Sequence, residues 1–168
     1  ILKCHLKDEY LVSTAGDTLS FNLSHLANSE HFNIECAKCH TGISPKLNRP
    51  CETVDEVDCS NCHIEISGKY FSSGHGQSYL QKHEEAPYCT DCHGTHETKS
   101  RFDDTSPTYR GNIPVLCGNC HIEEGQANTL TTLKEKNAYY DYSTSIHGKG
   151  LTDKGLLVSA VCTDCHTT

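Results

Sequence analysis

Cys89-Thr90-Asp91-Cys92-His93-Gly94-Thr95-His96 decides how this chain is read. Two cysteines stand three apart, a histidine follows the second directly, and another histidine comes three residues later. The first five positions recur as Cys36-Ala37-Lys38-Cys39-His40, Cys59-Ser60-Asn61-Cys62-His63, Cys117-Gly118-Asn119-Cys120-His121 and Cys162-Thr163-Asp164-Cys165-His166. Cys-x-x-Cys-His is the attachment signature of a c-type haem. Two thiols add across the two vinyl groups of one porphyrin, and the next side chain swings beneath the ring so that its imidazole reaches the iron. One copy arises by chance; five copies in 168 residues call for a common cause.

Other uses of paired cysteines explain less. A structural zinc site joins two such knuckles into one tetrahedron and needs no histidine after every pair; five knuckles are also an odd number for that scheme. A disulfide scaffold suits a small secreted chain with twelve cysteines, but not ten of them in pairs of one spacing, each followed by His. A thioredoxin-like motif occurs once, beside a βαβ pattern. No such pattern is visible.

Twelve histidines accompany the motifs, and there is no methionine. His40, His63, His93, His121 and His166 are expected as proximal ligands, and the His/Met pairing of small electron-transfer cytochromes has no methionine to use. Sixth ligands must therefore come from His5, His25, His31, His75, His83, His96 and His147. His5 also fits the proximal class, because Ile1-Leu2-Lys3-Cys4-His5 is an attachment motif with Ile in place of its first cysteine. Three explanations stand: a haem on one thioether at Cys4, a first cysteine upstream in an unusually spaced motif, or another role for Cys4. Either of the first two gives six haems, six proximal and six distal histidines; the third gives five haems.

Composition points to a molecule built around cofactors. Apolar residues make up 35% of the chain, Trp is absent and Phe occurs four times, so little material exists for a conventional core. The expected fold is mostly irregular, with short α-helices and a small β-hairpin, wrapped around a chain of haems. The formal charge of −8 grows more negative with haem propionates, which argues against nucleic acid or an anionic membrane surface as partner. No stretch approaches the roughly 20 apolar residues of a membrane span. The chain opens without Met or the apolar core of a signal peptide and is read as a mature or trimmed product. Haem attachment to paired cysteines places it outside the reducing cytoplasm.

Residues 1–168 are expected to form one multihaem unit. Residues 1–70 make an N-terminal module, in which 1–43 carry the half motif, the alternating segment Gly16-Asp17-Thr18-Leu19-Ser20-Phe21-Asn22-Leu23 that reads as a hairpin arm, and the first full motif. Residues 44–70 hold a Pro-containing loop with Cys51, an acidic run and the second motif. Residues 71–122 and 123–168 are related repeats: Ser73-Gly74-His75-Gly76 parallels Ser145-Ile146-His147-Gly148, each followed by a short helical stretch and Cys-Thr-Asp-Cys-His. Ser29-Glu30-His31 looks like a shortened version. A His in this context, with a glycine that lets the backbone approach a flat ligand, reads as a distal ligand rather than a surface residue. His96, three residues beyond His93, should turn away from its own haem toward another. His25 and His83 could be solvated helix residues and are taken as ligands because the count asks for them.

The stretch Cys89 to His96, then Asp104-Thr105-Ser106-Pro107 running to Cys117-Gly118-Asn119-Cys120-His121, and Ser145-Ile146-His147-Gly148-Lys149-Gly150 resemble multihaem c-type cytochromes of anaerobic and metal-reducing bacteria, related to the cytochrome c3 and quinol-dehydrogenase (NapC/NrfH-like) groups. The resemblance covers essentially the whole chain. It implies closely packed bis-histidine haems, a periplasmic or cell-surface location, and electron transfer between a quinol-oxidising membrane partner and a terminal reductase or extracellular acceptor. Two features depart from the pattern: Ile1 stands where a haem cysteine is expected, and no Gly-x-His element follows His166 within these residues. Cys51 has no role in it; a buried free thiol or a bond to Cys4 are the readings left. An iron with two imidazoles has no open position for substrate, so a carrier is expected. A multihaem reductase of nitrite or hydroxylamine type, with one five-coordinate haem, and a conductive filament of stacked copies are the alternatives.

Overall fold

A computed structural model describes residues 23–41, 56–123, 125, 127 and 137–166. All five full motifs lie within them. Cys4, His5 and Cys51 lie outside, as does the expected hairpin arm except for Leu23, which opens a helix.

The described residues form short helices joined by irregular turns, with no strand among them. In order these are α1 (Leu23–Ala27), α2 (Cys36–Cys39), a 3-10 turn (Cys59–Asn61), α3 (Ile64–Ser72), α4 (Gly74–Leu80), α5 (Cys89–His93), α6 (Ile113–Gly118), α7 (Ala138–Thr144), α8 (Ile146–Thr152) and α9 (Cys162–Cys165). Helices this short are unstable alone, and the protein interior does little for them. Tyr88, Leu151 and Val161 are the buried large apolar side chains among the described residues, whereas Ile64 is 73%, Phe102 77%, Ile146 83% and Val158 89% exposed.

The sequence repeat is a structural repeat. In one copy α3 ends and α4 begins at Ser73, whose extended backbone breaks the helix and whose hydroxyl accepts the Gly76 N–H at 3.2 Å. In the other, Ser145 stands between α7 and α8 and accepts the Gly148 N–H at 3.1 Å. Each serine caps a helix in the ordinary way, satisfying an N–H that the first turn leaves unpaired.

Each copy then ties its helix pair to its motif. The Tyr70 hydroxyl donates to the Pro87 carbonyl at 2.5 Å, and the Tyr142 hydroxyl to the Ala160 carbonyl at 3.0 Å. Both acceptors lie two residues before a motif. The Asp91 carboxylate accepts the Tyr88 N–H at 2.6 Å and the Asp164 carboxylate the Val161 N–H at 2.8 Å, so the aspartate inside each Cys-Thr-Asp-Cys-His caps its own helix. Arg110 joins the C-terminal motif to the preceding module, donating to both Asp164 oxygens (3.2 and 2.6 Å) and to the Leu157 and Ser159 carbonyls.

The glycine after each histidine has a reason within the fold. A Cβ on Gly76 would lie 2.0 Å from the Tyr70 carbonyl oxygen, and one on Gly148 2.1 Å from that of Tyr142. These glycines let one helix start tightly against the end of the last, a requirement that stands whether or not a flat ligand approaches them.

Between the second and third motifs Tyr70, Tyr79 and Tyr88 form a ring cluster. Tyr79 and Tyr88 stack at 4.7 Å, and Tyr70 meets Tyr88 edge-on at 6.1 Å. Burial pushes the Tyr70 phenol up to about 12; the hydrogen bond to Glu56, then burial, pushes Tyr79 up to about 12; burial raises Tyr88 as well. A phenol ordinarily ionises near 10, so the folded state prefers these three neutral. Their contribution to stability is complete below about pH 10 and is lost as pH climbs toward 12. Burial raises the Tyr142 phenol too, so an alkaline difference titration should show four tyrosines ionising late; uniform ionisation near pH 10 would contradict the cluster.

Candidate functional site

The spacing of each motif is the spacing of one helical face. Residues i, i+3 and i+4 lie together on an α-helix, and Cys-x-x-Cys-His fills those positions. The turn is closed in the same way at four motifs: the N–H groups of His40, His63, His121 and His166 donate to the carbonyls of Cys36, Cys59, Cys117 and Cys162 at 2.9, 3.0, 3.0 and 2.9 Å. The fifth turn is α5 itself. At the second motif Asp58 prepares the turn by accepting from the Ser60 N–H at 2.9 Å and its hydroxyl at 2.6 Å. None of the ten described cysteines is in a disulfide.

The motifs neighbour one another in sequence order. Burial and the nearby Cys59 and Cys62 raise the Cys39 thiol. Burial followed by Cys59, which also hydrogen-bonds it, pushes Cys89 up to about 11. Cys92 is raised by burial, by Asp91 and by Cys120. Cys117 and Cys162 share a hydrogen bond that raises the first and draws the second down to about 7.

The histidines come together in twos. His63 faces His31, His40 faces His96, and His121 faces His75, each with ring centres 6.0 Å apart and ring planes at 56°, 31° and 43°. Ring pairs pack at such distances without any metal. These pairs are singled out by composition: every one joins a motif histidine to a histidine outside the motifs. An imidazole nitrogen binds a first-row metal at about 2.0–2.1 Å and lies about 1 Å from its own ring centre, so two imidazoles on opposite sides of one ion have centres about 6 Å apart. Each ring is free to turn about its own metal–nitrogen bond, which makes the interplanar angle a secondary matter.

Long-range contacts build these pairs. The Glu30 N–H donates to the Thr98 carbonyl at 2.8 Å, laying the His31 segment beside the residues after the third motif. His96 thus faces the first motif rather than its own. Ser29 accepts the His31 N–H at 3.1 Å, a local turn that sets this histidine. Burial lowers His75 and His121, and the neighbouring imidazoles His121 and His166 add to it; His93 is lowered by desolvation and by His63. A lowered value favours the neutral imidazole that binds metal. Among the described residues, the buried side-chain nitrogen or oxygen with no hydrogen-bond partner is His40 Nδ1; it needs an acceptor if it carries the ring proton and a donor or an ion if it does not.

The remaining histidines are placed differently. Among the described residues no imidazole stands at this spacing from His93, His166, His83 or His147. His25 is exposed and lies 3.6 Å from the Glu97 carboxylate. His5 is outside the described residues. Among those described, no three His, Cys, Asp or Glu side chains gather as the ligands of a bare metal ion do, and no helix is long and apolar enough to cross a membrane. The residues present fit an iron porphyrin: two thiols and one imidazole from each motif, with a second imidazole opposite at three of them.

Sequence reasoning passed over the residues that hold the histidines. Tyr70 and Tyr142 stand three residues before Ser73 and Ser145, so the repeated signal is Tyr-x-x-Ser-x-His-Gly rather than Ser-x-His-Gly. Asp91 and Asp164 were visible as identical letters without a role. No family model matches the chain, and comparison with curated proteins and with solved structures finds no match.

Proposed function

We propose that this chain carries electrons through c-type haems held at its five Cys-x-x-Cys-His motifs, with a sixth at Cys4–His5. The supporting observation is that His40, His63 and His121 each face a histidine from outside the motifs at the separation two axial imidazoles require. Bound haem supplies a one-electron ferric–ferrous couple. The chain's own residues do the rest: paired cysteines fix each group, paired imidazoles close both axial positions at the first, second and fourth motifs, and the exposed isoleucines and valines supply apolar surface suited to porphyrin faces.

The order of the motifs supports a conduit. Each set of cysteines borders the next one along the sequence, so electrons accepted at one end have a continuous route to the other. The donor and acceptor fitting such a carrier are redox proteins: a quinol-oxidising membrane partner, a terminal reductase or extracellular acceptor, or copies of the chain itself. The periplasm or outer cell surface is where such partners meet.

His93 and His166 favour a second reading, a multihaem reductase, since no imidazole stands opposite them among the described residues. Carbon monoxide decides between the two: a reductase takes it up when reduced, a pure carrier does not. Intact mass with an iron count tests the cofactor itself. Six covalent haems are expected; five would remove Cys4–His5 from the set, and none would end the proposal. Electron microscopy of the purified protein separates a discrete carrier from a filament.

A further inference from the structure

The third and fifth motifs share five letters, Cys89-Thr90-Asp91-Cys92-His93 and Cys162-Thr163-Asp164-Cys165-His166. In each the central aspartate caps its own helix by accepting the N–H of the residue before the motif. Both border the fourth motif, since Cys92 lies near Cys120 and Cys117 shares a hydrogen bond with Cys162. They differ in charge.

Arg110 lays its guanidinium across both Asp164 oxygens at 3.2 and 2.6 Å. The Leu157 and Ser159 carbonyls accept from the same side chain at 2.5 and 2.9 Å, so the fork is held in one place. Asp91 has no counterpart. The ion pairs among the described residues are His25–Glu97 and Arg110–Asp164, and what joins Asp91 beside Cys120 is a second carboxylate, Glu85. Negative charge therefore gathers where the third motif meets the fourth, while at the fifth motif it is cancelled. Both members of the Arg110–Asp164 pair are over a third exposed, so solvent weakens this contrast without removing it. A nearby carboxylate favours ferric over ferrous iron, because the ferric ion carries one more positive charge.

We propose that Arg110 sets the direction of electron flow along the third, fourth and fifth motifs: by neutralising Asp164 it makes the fifth motif a more favourable resting place for an electron than the third. The inference rests on the haem reading above. It gives the carrier a donor side at Asp91 and an acceptor side at Arg110, although the two motifs are identical in sequence.

Redox titration of the holoprotein, followed by nuclear magnetic resonance of the porphyrin methyl signals, reads each haem separately. Arg110→Met should lower one midpoint and Asp91→Asn should raise another, each by about tenfold in the electron-sharing equilibrium, about 59 mV. In the unmutated protein the midpoint that moves with Arg110 should be the higher of the two. Arg110→Lys keeps the charge and loses the fork, so it should leave that midpoint in place, and adding Asp164→Asn to Arg110→Met should bring the lowered midpoint back. Asp164→Asn alone retains Arg110 and its carbonyl bonds, and covers the case in which Arg110→Met does not fold: the midpoint it raises should lie above the one raised by Asp91→Asn. Three results overturn the proposal: the reverse order of these two midpoints, no shift in a folded Arg110→Met variant, or equal shifts in the Lys and Met variants, which would make the effect one of geometry and not of charge. Failure of the haem reading looks different, since no haem midpoint would then appear in any variant or in the unmutated protein.

Discussion

Replacing His75 with alanine is expected to leave one iron with a single imidazole, that of His121. The ferric protein should then show one high-spin haem per chain, and the reduced protein should bind one carbon monoxide. The effect is confined to one haem because His75 faces His121 at 6.0 Å and the other two pairs do not share either residue. His31→Ala and His96→Ala should do the same at His63 and His40. Exogenous imidazole should restore the low-spin state in each case, a rescue that a general loss of structure would not permit. An unchanged spectrum for all three variants would mean that the facing rings are ordinary ring contacts.

Gly76→Ala and Gly148→Ala should be strongly damaging single-methyl changes. Helix propensity alone favours alanine over glycine by about 1 kcal/mol. Against that stands a Cβ placed 2.0 or 2.1 Å from a backbone carbonyl oxygen, in a junction whose movement would also shift the neighbouring histidine. Overpacking of this kind costs on the order of 3 kcal/mol, so the clash wins. Gly68 in α3 is the control: a Cβ there meets nothing within 4 Å, and Gly68→Ala should stabilise by about 1 kcal/mol. Denaturant unfolding of the holoprotein followed by far-ultraviolet circular dichroism measures both signs. Equal effects at Gly68 and Gly76 would contradict the tight junction.

Much of the site was legible because covalent and coordination chemistry leave rigid spacings. Cys-x-x-Cys-His puts two thiols and an imidazole on one helical face, and under the haem reading proposed above twelve histidines without methionine restrict the second axial ligand. The short-helix character followed from sparse apolar content. Pairing was not legible: nothing local tells His96 to face His40, fifty-six positions back, since that contact depends on the Glu30–Thr98 hydrogen bond and the packing around it. The helix-junction role of the glycines was hidden for a related reason. A glycine beside a histidine reads as room for a ligand, whereas the Tyr70 and Tyr142 carbonyls that demand it come from the preceding helix. Arg110 was invisible as well, because its partner Asp164 lies fifty-four residues away and is exposed in sequence terms like any other acid.

Near-infrared magnetic circular dichroism of the fully oxidised purified protein tests two-imidazole ligation most directly, since the charge-transfer band of ferric haem reports both axial ligands. Every haem, five or six, should show the low-spin bis-imidazole band. A high-spin band from one haem in the unmutated, undiluted protein would contradict a closed carrier and favour the reductase reading.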